Sequence, residues 1–286
     1  GARARHTVVS ADHAAMGARS AIMPEVPCDF PKDDAPSLRG RPGLRRYAAL
    51  ARYMRGFDLV LTYNWGAMDA VMAHRLFAPL MRLPPLVHHE DGFNEDEAER
   101  LNPARNVFRR LALAGSAALV VPSQQLRRIA LDVWKQPQAR VHMIPNGIDV
   151  EAYARPPAPD AIPGLVREPG RVVVGSLAGL RAVKNLPRLV RAAAPLGGRV
   201  QLVIVGEGAE RDTIRGEAHR LGIEEPLLPG FITNPWNYIG LFDIFALSSD
   251  SEQFPISLVE AMAAGLPGAA TAVGDIAAMV AEENRP

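Results

Sequence analysis

Short apolar runs alternate with longer amphipathic segments along most of the chain. Runs such as Val200–Val205 and Ile244–Leu247 have the length of buried β-strands. Segments such as Leu186–Ala194 repeat apolar residues at helical spacing, which predicts helices with one buried face. Strands that alternate with helices favour a parallel sheet with helices on both faces. The pattern therefore predicts an α/β protein.

The strand–helix pattern occurs twice, and a proline-rich segment separates the two halves. Pro156, Pro157, Pro159, Pro163 and Pro169 crowd this segment, which follows the turn signal Asn146-Gly147. We therefore predict two domains, residues 1–150 and 151–286. In the first domain, the predicted strands are His6–Ser10, Phe57–Thr62, Pro85–His89, Ala118–Val121 and Val141–Ile144, and the predicted helices are Leu44–Arg55, Asp69–Phe77, Pro103–Leu113 and Ser123–Val133. In the second domain, the predicted strands are Arg171–Gly175, Val200–Val205, Leu227–Ile232, Ile244–Leu247 and Pro267–Thr271, and the predicted helices are Leu186–Ala194 and Ala209–Leu221, with one more after Pro255.

Composition narrows the class of protein. The chain has 286 residues, of which 48% are hydrophobic and 22% are charged, and its formal net charge is +1. These values are ordinary for a globular protein of two domains, and the charge gives no reason to expect nucleic acid as a partner. The single cysteine, Cys28, allows no internal disulfide, which is typical of a reducing compartment. The longest apolar run, Leu111–Val121, is too short to span a bilayer.

The stretch Ser248–Pro267 carries the strongest chemical signal. A short buried strand leads into a polar loop, and a helix follows in which Pro255 fits the first turn and Gly265 marks the end. The carboxyl end of a strand and the amino end of a helix meet at this loop, an arrangement that suits a phosphate group. Glu252 lies in the loop and Glu260 in the helix among apolar neighbours. Both are candidates to accept hydrogen bonds from sugar hydroxyls. The alternative is that Glu252 is a solvated loop residue and that Glu260 lies at the edge of the helix.

The string from Glu252 to Pro267 resembles the E-x7-E signature of the retaining family 4 glycosyltransferases. The resemblance includes both glutamates and the residues Phe254, Pro255, Leu258, Ala261, Met262, Ala263, Gly265 and Pro267. It implies the GT-B fold, in which two Rossmann-like domains face each other across a cleft. It also implies that Glu252 contacts the donor sugar and Glu260 the ribose of the nucleotide. The amides that follow Glu252, at Phe254, Ile256 and Ser257, are implied to face the sugar or the diphosphate.

Two cations, Arg181 and Lys184, lie between a predicted strand and a predicted helix. Fixed cations at such a position stabilise the charge of a departing diphosphate, although a solvated loop is the alternative. The segment resembles the Arg/Lys pair with which the family holds the donor diphosphate. Lysine is rare in this chain, which favours Lys184. Many family members carry the arginine two positions earlier, where this chain has Gly179, so the assignment of Arg181 is the weaker of the two.

A Gly-Glu-Gly turn follows the strand Val200–Val205. Gly206 and Gly208 lack the third glycine of a dinucleotide fingerprint, because Arg211 takes its place. In the family that this chain resembles, such a turn lines the nucleotide pocket. The resemblance also implies that main-chain groups at Phe231 and Ile232 hold the base.

Two histidines lie at the end of the predicted strand Pro85–His89 in the first domain. His88 and His89 are adjacent and point to opposite faces of the strand, so they form a poor metal pair. The family often has a histidine near the acceptor and donor sugars in this loop. His88, His89 or Asp91 can fill that place, and we favour His89. Asp250-Ser251-Glu252 superficially resembles a D-x-D metal motif, but Glu252 already belongs to the E-x7-E signature, so we predict no metal site and no cofactor.

These predictions describe a metal-independent, retaining glycosyltransferase. It would move a sugar from a nucleotide-diphosphate-sugar donor to a hydroxyl acceptor, a carbohydrate or a lipid-linked sugar, in bacterial polysaccharide, lipopolysaccharide or glycolipid synthesis. The expected location is the cytoplasm, with peripheral contact to the inner face of the membrane as an open alternative. The resemblance also implies that the first strand, the glycine loop after it and the final helices of the family are missing from this chain. Two other functions stay open: a GT-B nucleotide-sugar epimerase and a non-catalytic nucleotide-sugar-binding protein.

Overall fold

The structure is a computed structural model that describes residues 4–11, 19, 22–31, 34–40, 43–93, 95–97 and 100–284. These residues form two compact units. Unit 1 comprises Gly1–Phe93, Leu101–Val121 and Leu126–Ile144, and unit 2 comprises Asn94–Arg100, Pro122–Gln125 and Pro145–Pro286, in each case within the described residues. Neither unit is continuous in sequence, and the domain limits at residue 150 stay a prediction.

Unit 1 contains a four-stranded parallel sheet with the order β3-β4-β5-β6 and a separate parallel pair, β1-β2. Its strands are β1 His6–Thr7, β2 Cys28–Asp29, β3 Val60–Tyr63, β4 Leu86–His89, β5 Ala118–Val121 and β6 Val141–Met143. The helices are α1 Leu44–Met54, α2 Met68–Met81, α3 Pro103–Leu113 and α4 Gln124–Asp132, the first residues of which belong to unit 2. The register pairs Tyr63 with His89, so the carboxyl ends of β3 and β4 lie side by side.

Unit 2 contains a five-stranded parallel sheet with the order β11-β10-β7-β8-β9. Its strands are β7 Val172–Leu177, β8 Val200–Val205, β9 Leu227–Gly230, β10 Ile244–Leu247 and β11 Gly268–Ala270. The helices are α5 Val150–Tyr153, α6 Leu186–Ala193, α7 Arg211–Leu221, α8 Ile256–Ala263 and α9 Ile276–Met279. In this order β7 lies between β10 and β8, so the loops after these three strands meet at one edge of the sheet.

Alternate residues of each central strand in unit 2 enter different cores. Val203 and Val205 pack with Phe245 on one face, whereas Leu202 and Ile204 pack with Ala246 on the other. A strand buried on both faces needs a continuous apolar sequence, which is the pattern that predicted these strands. The predicted α/β class, with parallel sheets in two Rossmann-like units, is therefore confirmed.

Local signals explain where several helices begin and end. The side chain of Asn102 caps α3 by accepting hydrogen bonds from the N–H groups of Ala104 and Arg105. Gly222, at φ 65°, ends α7 in the left-handed conformation. Helix α2 extends to Met81, beyond the predicted end at Phe77. Pro79 lies in its last turn, where the missing N–H removes one hydrogen bond but does not end the helix. Within the described residues, no helix is long and apolar enough to cross a membrane.

Candidate functional site

Hydrogen bonds join the loop after β7 to the loop after β10 in unit 2. The N–H of Asp250 donates to the carbonyl oxygen of Val183 at 2.9 Å, and Ser248 Oγ donates to the carbonyl oxygens of Lys184 and Asn185 at 3.0 Å. These bonds fix the backbone on both sides of the two loops. As a result, the side chains predicted from two distant parts of the sequence meet at one sheet edge.

Lys184 and Glu252 form an ion pair at this edge. Lys184 Nζ lies 2.5 Å from Glu252 Oε1, and Ser249 Oγ donates to the same oxygen at 2.6 Å. The side chain of Lys184 is 18% exposed and that of Glu252 is 9% exposed, so the pair is largely buried but still open to solvent. A cation and a carboxylate held this close offer donors to a phosphate and acceptors to sugar hydroxyls within a few ångströms.

Arg181 is exposed and lies at the start of the 3₁₀ turn Ala182–Lys184. Its side chain turns back toward Gly179: Arg181 Nε lies 3.7 Å from the position that a Cβ would occupy on that glycine. The N–H of Arg181 also donates to the Gly179 carbonyl oxygen at 2.8 Å. The guanidinium therefore lies beside the position where many family members carry their arginine.

Gly206 and Gly208 allow two loops to approach each other closely. Gly206 has φ 148°, and a Cβ there would lie 1.9 Å from the Ala178 carbonyl oxygen. Gly208 has φ 153°, and a Cβ there would lie 2.3 Å from the Leu180 carbonyl oxygen. Both positions require glycine for backbone reasons alone, so this requirement does not depend on a ligand.

Glu260 is buried in α8 and contacts a tyrosine from α5. Its residue is only 8% exposed, and Tyr153 Oη donates to Glu260 Oε1 at 2.7 Å. Burial raises the pKa of Glu260 above its usual value, and the hydrogen bond from Tyr153 opposes that rise. Burial also raises the pKa of Tyr153, as does its hydrogen bond to the carboxylate, so the tyrosine is the donor.

The predicted base-binding backbone lies near the same group of aromatic side chains. Tyr238 is fully buried and its hydroxyl donates to the Ile232 carbonyl oxygen at 3.3 Å. Phe231 is 72% exposed, although it is a large apolar residue. The Gly230 carbonyl oxygen accepts from the N–H of Gly206 at 2.9 Å, which connects this segment to the Gly-Glu-Gly turn.

Helix α8 begins at Ile256, so the prediction that Pro255 occupies its first turn is wrong. Pro255 precedes the helix with extended dihedral angles and is not in its first turn. Its carbonyl oxygen accepts from the N–H of Leu258. Ile256 and Ser257 therefore form the first turn, whose amides have no partner within the helix. Phe254 is half-buried in the loop before it.

The two histidines of unit 1 lie in different environments. His88 is fully buried, with Nδ1 2.9 Å from Thr62 Oγ1. The side chain of His89 is 34% exposed; its ring packs edge-on against Tyr63, and Nε2 lies 3.9 Å from Asp91 Oδ1. Tyr63 Oη donates to Asp91 Oδ2 at 2.7 Å. Of these two histidines, His89 is thus the partly exposed one, with its Nε2 atom buried, whereas His88 is part of the core.

A buried charged cluster follows His89 and was not predicted. Glu90, His88 and Arg109 are fully buried, and Glu90 Oε2 lies 3.5 Å from Arg109 Nε and 3.7 Å from His88 Nε2. The Arg109 guanidinium also lies 4.8–5.3 Å from the ring centres of Trp65, Phe93 and Trp134. Cation–π contacts and the carboxylate together stabilise a charge that would be costly to bury alone.

No group of three or more histidine, cysteine, aspartate or glutamate side chains suited to a metal ion occurs within the described residues. Asp250, the first residue of the D-x-D-like string, pairs with Arg188 at 2.6 Å and accepts from Asn185. A cavity of about 580 Å³ lies at the amino-terminal end of the sheet in unit 2, beside residues such as Arg171 and Glu224. None of the predicted site residues lines it.

Sequence reasoning missed three residues that contact the predicted carboxylates and backbone: Ser249, Tyr153 and Tyr238. Ser249 lies inside the signature stretch, so its hydroxyl was visible as a candidate. The two tyrosines carry no motif, and Tyr153 lies 107 residues from its partner. Only the folded structure brings these groups together.

Comparisons with known sequences cover both halves of the chain. A sequence profile described as Glycosyltransferase Family 4 matches residues 2–152, and one described as Glycosyl transferases group 1 matches residues 160–285. The protein EpsF of Bacillus subtilis (strain 168), whose own assignment as a glycosyltransferase is provisional, is 34% identical over 225 residues, which cover 71% of this chain and 57% of the relative. The D-inositol 3-phosphate glycosyltransferase of Xylanimonas cellulosilytica is 26% identical over 243 residues, which cover 79% of this chain and 58% of the relative. The chain thus spans somewhat more than half the length of these relatives.

A solved structure has the same fold. Anabaena Alr3699/HepE, crystallised with UDP and glucose, matches with a TM-score of 0.70 and 21% identity, over 90% of this chain and 70% of the neighbour. At that identity the likeness concerns the fold alone. Together with the two profiles, it confirms the predicted GT-B class with two Rossmann-like domains.

Proposed function

Because the chain belongs to Glycosyltransferase Family 4, we propose that it is a retaining, metal-independent glycosyltransferase that uses a UDP-sugar donor. The acceptor is a hydroxyl group of a carbohydrate or of a lipid-linked sugar. The choice of UDP is supported by the solved neighbour that carries it. The observation that carries the proposal is the Lys184–Glu252 pair beside the first turn of α8.

The diphosphate would be bound by cations and helix amides. Lys184 supplies a fixed positive charge, and Arg181 supplies a second one from a more exposed position. The amides of the first turn of α8 and the positive end of its dipole add donors. These groups stabilise the charge that develops on the leaving UDP, which is the task a metal ion performs in other transferases.

The sugar and the nucleoside would be bound by the two glutamates. Glu252 accepts hydrogen bonds from donor-sugar hydroxyls, and Glu260 accepts from the ribose. Phe231 and Ile232 present backbone groups to the base. On the acceptor side, His89 is the exposed candidate of its strand end.

Retention of configuration would follow from attack on the same face as the leaving group. The bond from the anomeric carbon to the phosphate oxygen breaks and a bond to the acceptor oxygen forms. The acceptor proton passes to the departing phosphate oxygen, so no enzymatic nucleophile is needed. This scheme uses the cations named above to stabilise the phosphate and the glutamates to orient the sugar.

Ligand-dependent melting of the full chain tests the donor site. UDP at a hundredfold excess over its Kd should stabilise the protein by about 2.7 kcal/mol, and the melting temperature should rise accordingly. We expect the rise with UDP and UDP-sugars, and we expect it to be lost in Glu260→Ala. If UDP and the other nucleoside diphosphates leave the melting temperature of the folded protein unchanged, the proposed donor site is wrong.

Product analysis tests the reaction. The chain is incubated with UDP-sugars and alkyl glycoside acceptors, with and without EDTA, and the anomeric configuration of the product is read by NMR. A product with the donor's configuration, formed equally with EDTA, is the expected result. Inversion would contradict the retaining mechanism, and loss of turnover in EDTA would contradict metal independence. Conversion of the UDP-sugar without an acceptor would favour an epimerase, and UDP binding without any turnover would favour a non-catalytic protein.

A further inference from the structure

Glu260 is a carboxylate with one oxygen engaged and one available. Its neighbours in α8 are mostly apolar, and Glu260 as a whole is 8% exposed. Oε1 accepts the hydrogen bond from Tyr153 at 2.7 Å. Among the residues that the structure describes, no hydrogen bond reaches Oε2. Oε2 is not among the buried side-chain atoms that lack a partner, so it remains open to a donor from solvent or from a ligand.

The donor of this hydrogen bond is held rigidly. Tyr153 is 7% exposed and lies in the core of unit 2 at the end of α5. Its ring packs edge-to-face against Trp236, with ring centres 6.4 Å apart and planes at 79°. A packed ring leaves the hydroxyl little freedom, so the hydrogen bond fixes the plane of the Glu260 carboxylate.

A second tyrosine beside Glu260 serves a different group. Burial raises the pKa of Tyr238, and the charge of the nearby Glu260 raises it as well, but the Tyr238 hydroxyl donates to the Ile232 carbonyl oxygen. Helix α5, which packs against α8, also carries Glu151, and Asp149 precedes its first residue; both are exposed. Tyr153 is therefore the group whose hydroxyl orients the carboxylate.

We propose that Tyr153 is a positioning residue for nucleotide binding: it holds one oxygen of Glu260 so that the other accepts a hydrogen bond from a ribose hydroxyl of UDP. This inference rests on the proposed function, since it assigns a task inside the proposed donor site. A carboxylate accepts from the ribose only when it is ionised. Because burial raises the pKa of Glu260 and the tyrosine opposes the rise, removing the hydroxyl should raise that pKa further.

The test compares the affinity of the unaltered chain for UDP with that of Tyr153→Phe, measured by calorimetry. The pH is varied from about 5, which is close to the usual pKa of a glutamate, to about 8. We expect the Kd of Tyr153→Phe to exceed that of the unaltered protein by about three- to tenfold near neutrality, the effect of one hydrogen bond. The ratio of the two Kd values should increase as the pH falls, because the variant loses the ionised carboxylate at a higher pH. Ionisation of the UDP phosphate affects both proteins equally and cancels in the ratio.

A ribose analogue separates positioning from packing. With 2′,3′-dideoxy-UDP as the probe, the ratio should fall to about one, because no ribose hydroxyl remains to be bound. Tyr53→Phe, which removes a tyrosine hydroxyl from α1 of unit 1, is the matched control and should leave both affinities unchanged. Circular dichroism and melting verify that each variant is folded.

Two results would overturn the inference while leaving the donor site intact. One is an equal loss of affinity for UDP and the dideoxy probe, which would make Tyr153 a packing residue only. The other is unchanged UDP affinity and pH dependence in Tyr153→Phe. Absence of UDP binding by the folded, unaltered chain would overturn the proposed donor itself, and is recognised before any variant is measured.

Discussion

Charged side chains near the strand ends are arranged in opposite ways in the two units. In unit 1, Glu90, His88 and Arg109 are fully buried against one another and against aromatic rings. In unit 2, Lys184 and Glu252 pair at a sheet edge where both side chains remain partly exposed. A fully buried cluster stabilises its surroundings only while it is complete, whereas a pair that is still partly open to solvent can be reached by a ligand. Burial thus separates the charges that maintain the fold from those available for binding.

Arg109→Met should give the largest effect, on stability. The substitution removes the cation that faces Glu90 and leaves that carboxylate buried beside a histidine and aromatic rings. Breaking a buried pair in this way costs about 3–5 kcal/mol. Denaturant unfolding, followed by tryptophan fluorescence in a Trp236→Phe background, measures this loss of unfolding free energy. In that background all of the tryptophan fluorescence comes from Trp65 and Trp134, which contact Arg109.

Arg110→Met on the same helix is the control. Its side chain is exposed, so the change in unfolding free energy should stay within about 0.5 kcal/mol. The double variant Arg109→Met, Glu90→Gln should recover part of the loss, since it removes the orphaned charge. Equal stability of Arg109→Met and Arg110→Met would show that the buried cluster has no special role in maintaining unit 1.

Lys184→Met should act on the affinity for UDP. A hydrogen bond to a charged group contributes about 1.5–3 kcal/mol, so the Kd for UDP should rise by about 10- to 150-fold. Uridine carries no phosphate, and its weaker binding should be unaffected. Calorimetry with both ligands measures the difference.

Arg215→Met removes a cation from the same unit and is the control for net charge. Arg215 is on α7, half exposed, and 3.6 Å from Glu225. The affinity of the Arg215→Met variant for UDP should match that of the unaltered chain. If Lys184→Met binds UDP as tightly as Arg215→Met does, the Lys184–Glu252 pair is an ordinary surface ion pair.

The sequence predicted most of the fold because its signals are local. The apolar runs Val200–Val205 and Ile244–Leu247 became strands with the predicted bounds, and Pro103–Leu113 became a helix with the predicted bounds. Errors occurred at the ends of elements: the predicted helix Asp69–Phe77 continues to Met81 as α2, and the first predicted strand, His6–Ser10, is limited to His6–Thr7.

Contacts within the candidate site were less predictable, because they join distant segments. The meeting of Lys184 and Glu252 follows from the strand order, in which β7 and β10 are neighbours. The hydrogen bond from Tyr153 to Glu260 has no sequence signal, and neither has the burial of Arg109, because a lone arginine on an amphipathic helix ordinarily faces solvent. Such contacts depend on tertiary packing, which periodicity does not encode.

Arg181→Met should have the smallest effect and would sharpen the distinction between exposed and half-buried charges. Its guanidinium is exposed, so its attraction for the diphosphate is screened by solvent, and the Kd for UDP should rise by only about two- to fivefold. The increase should diminish at high salt, whereas that of Lys184→Met should persist, because Lys184 is largely buried against Glu252. Calorimetry at two salt concentrations measures both. The contrary result is that the affinity for UDP falls as much in Arg181→Met as in Lys184→Met and that the fall is equally insensitive to salt. That result would mean that Arg181, which is folded back beside Gly179, becomes buried against the bound diphosphate. Exposure in the unliganded chain would then be a poor guide to which cation holds the ligand.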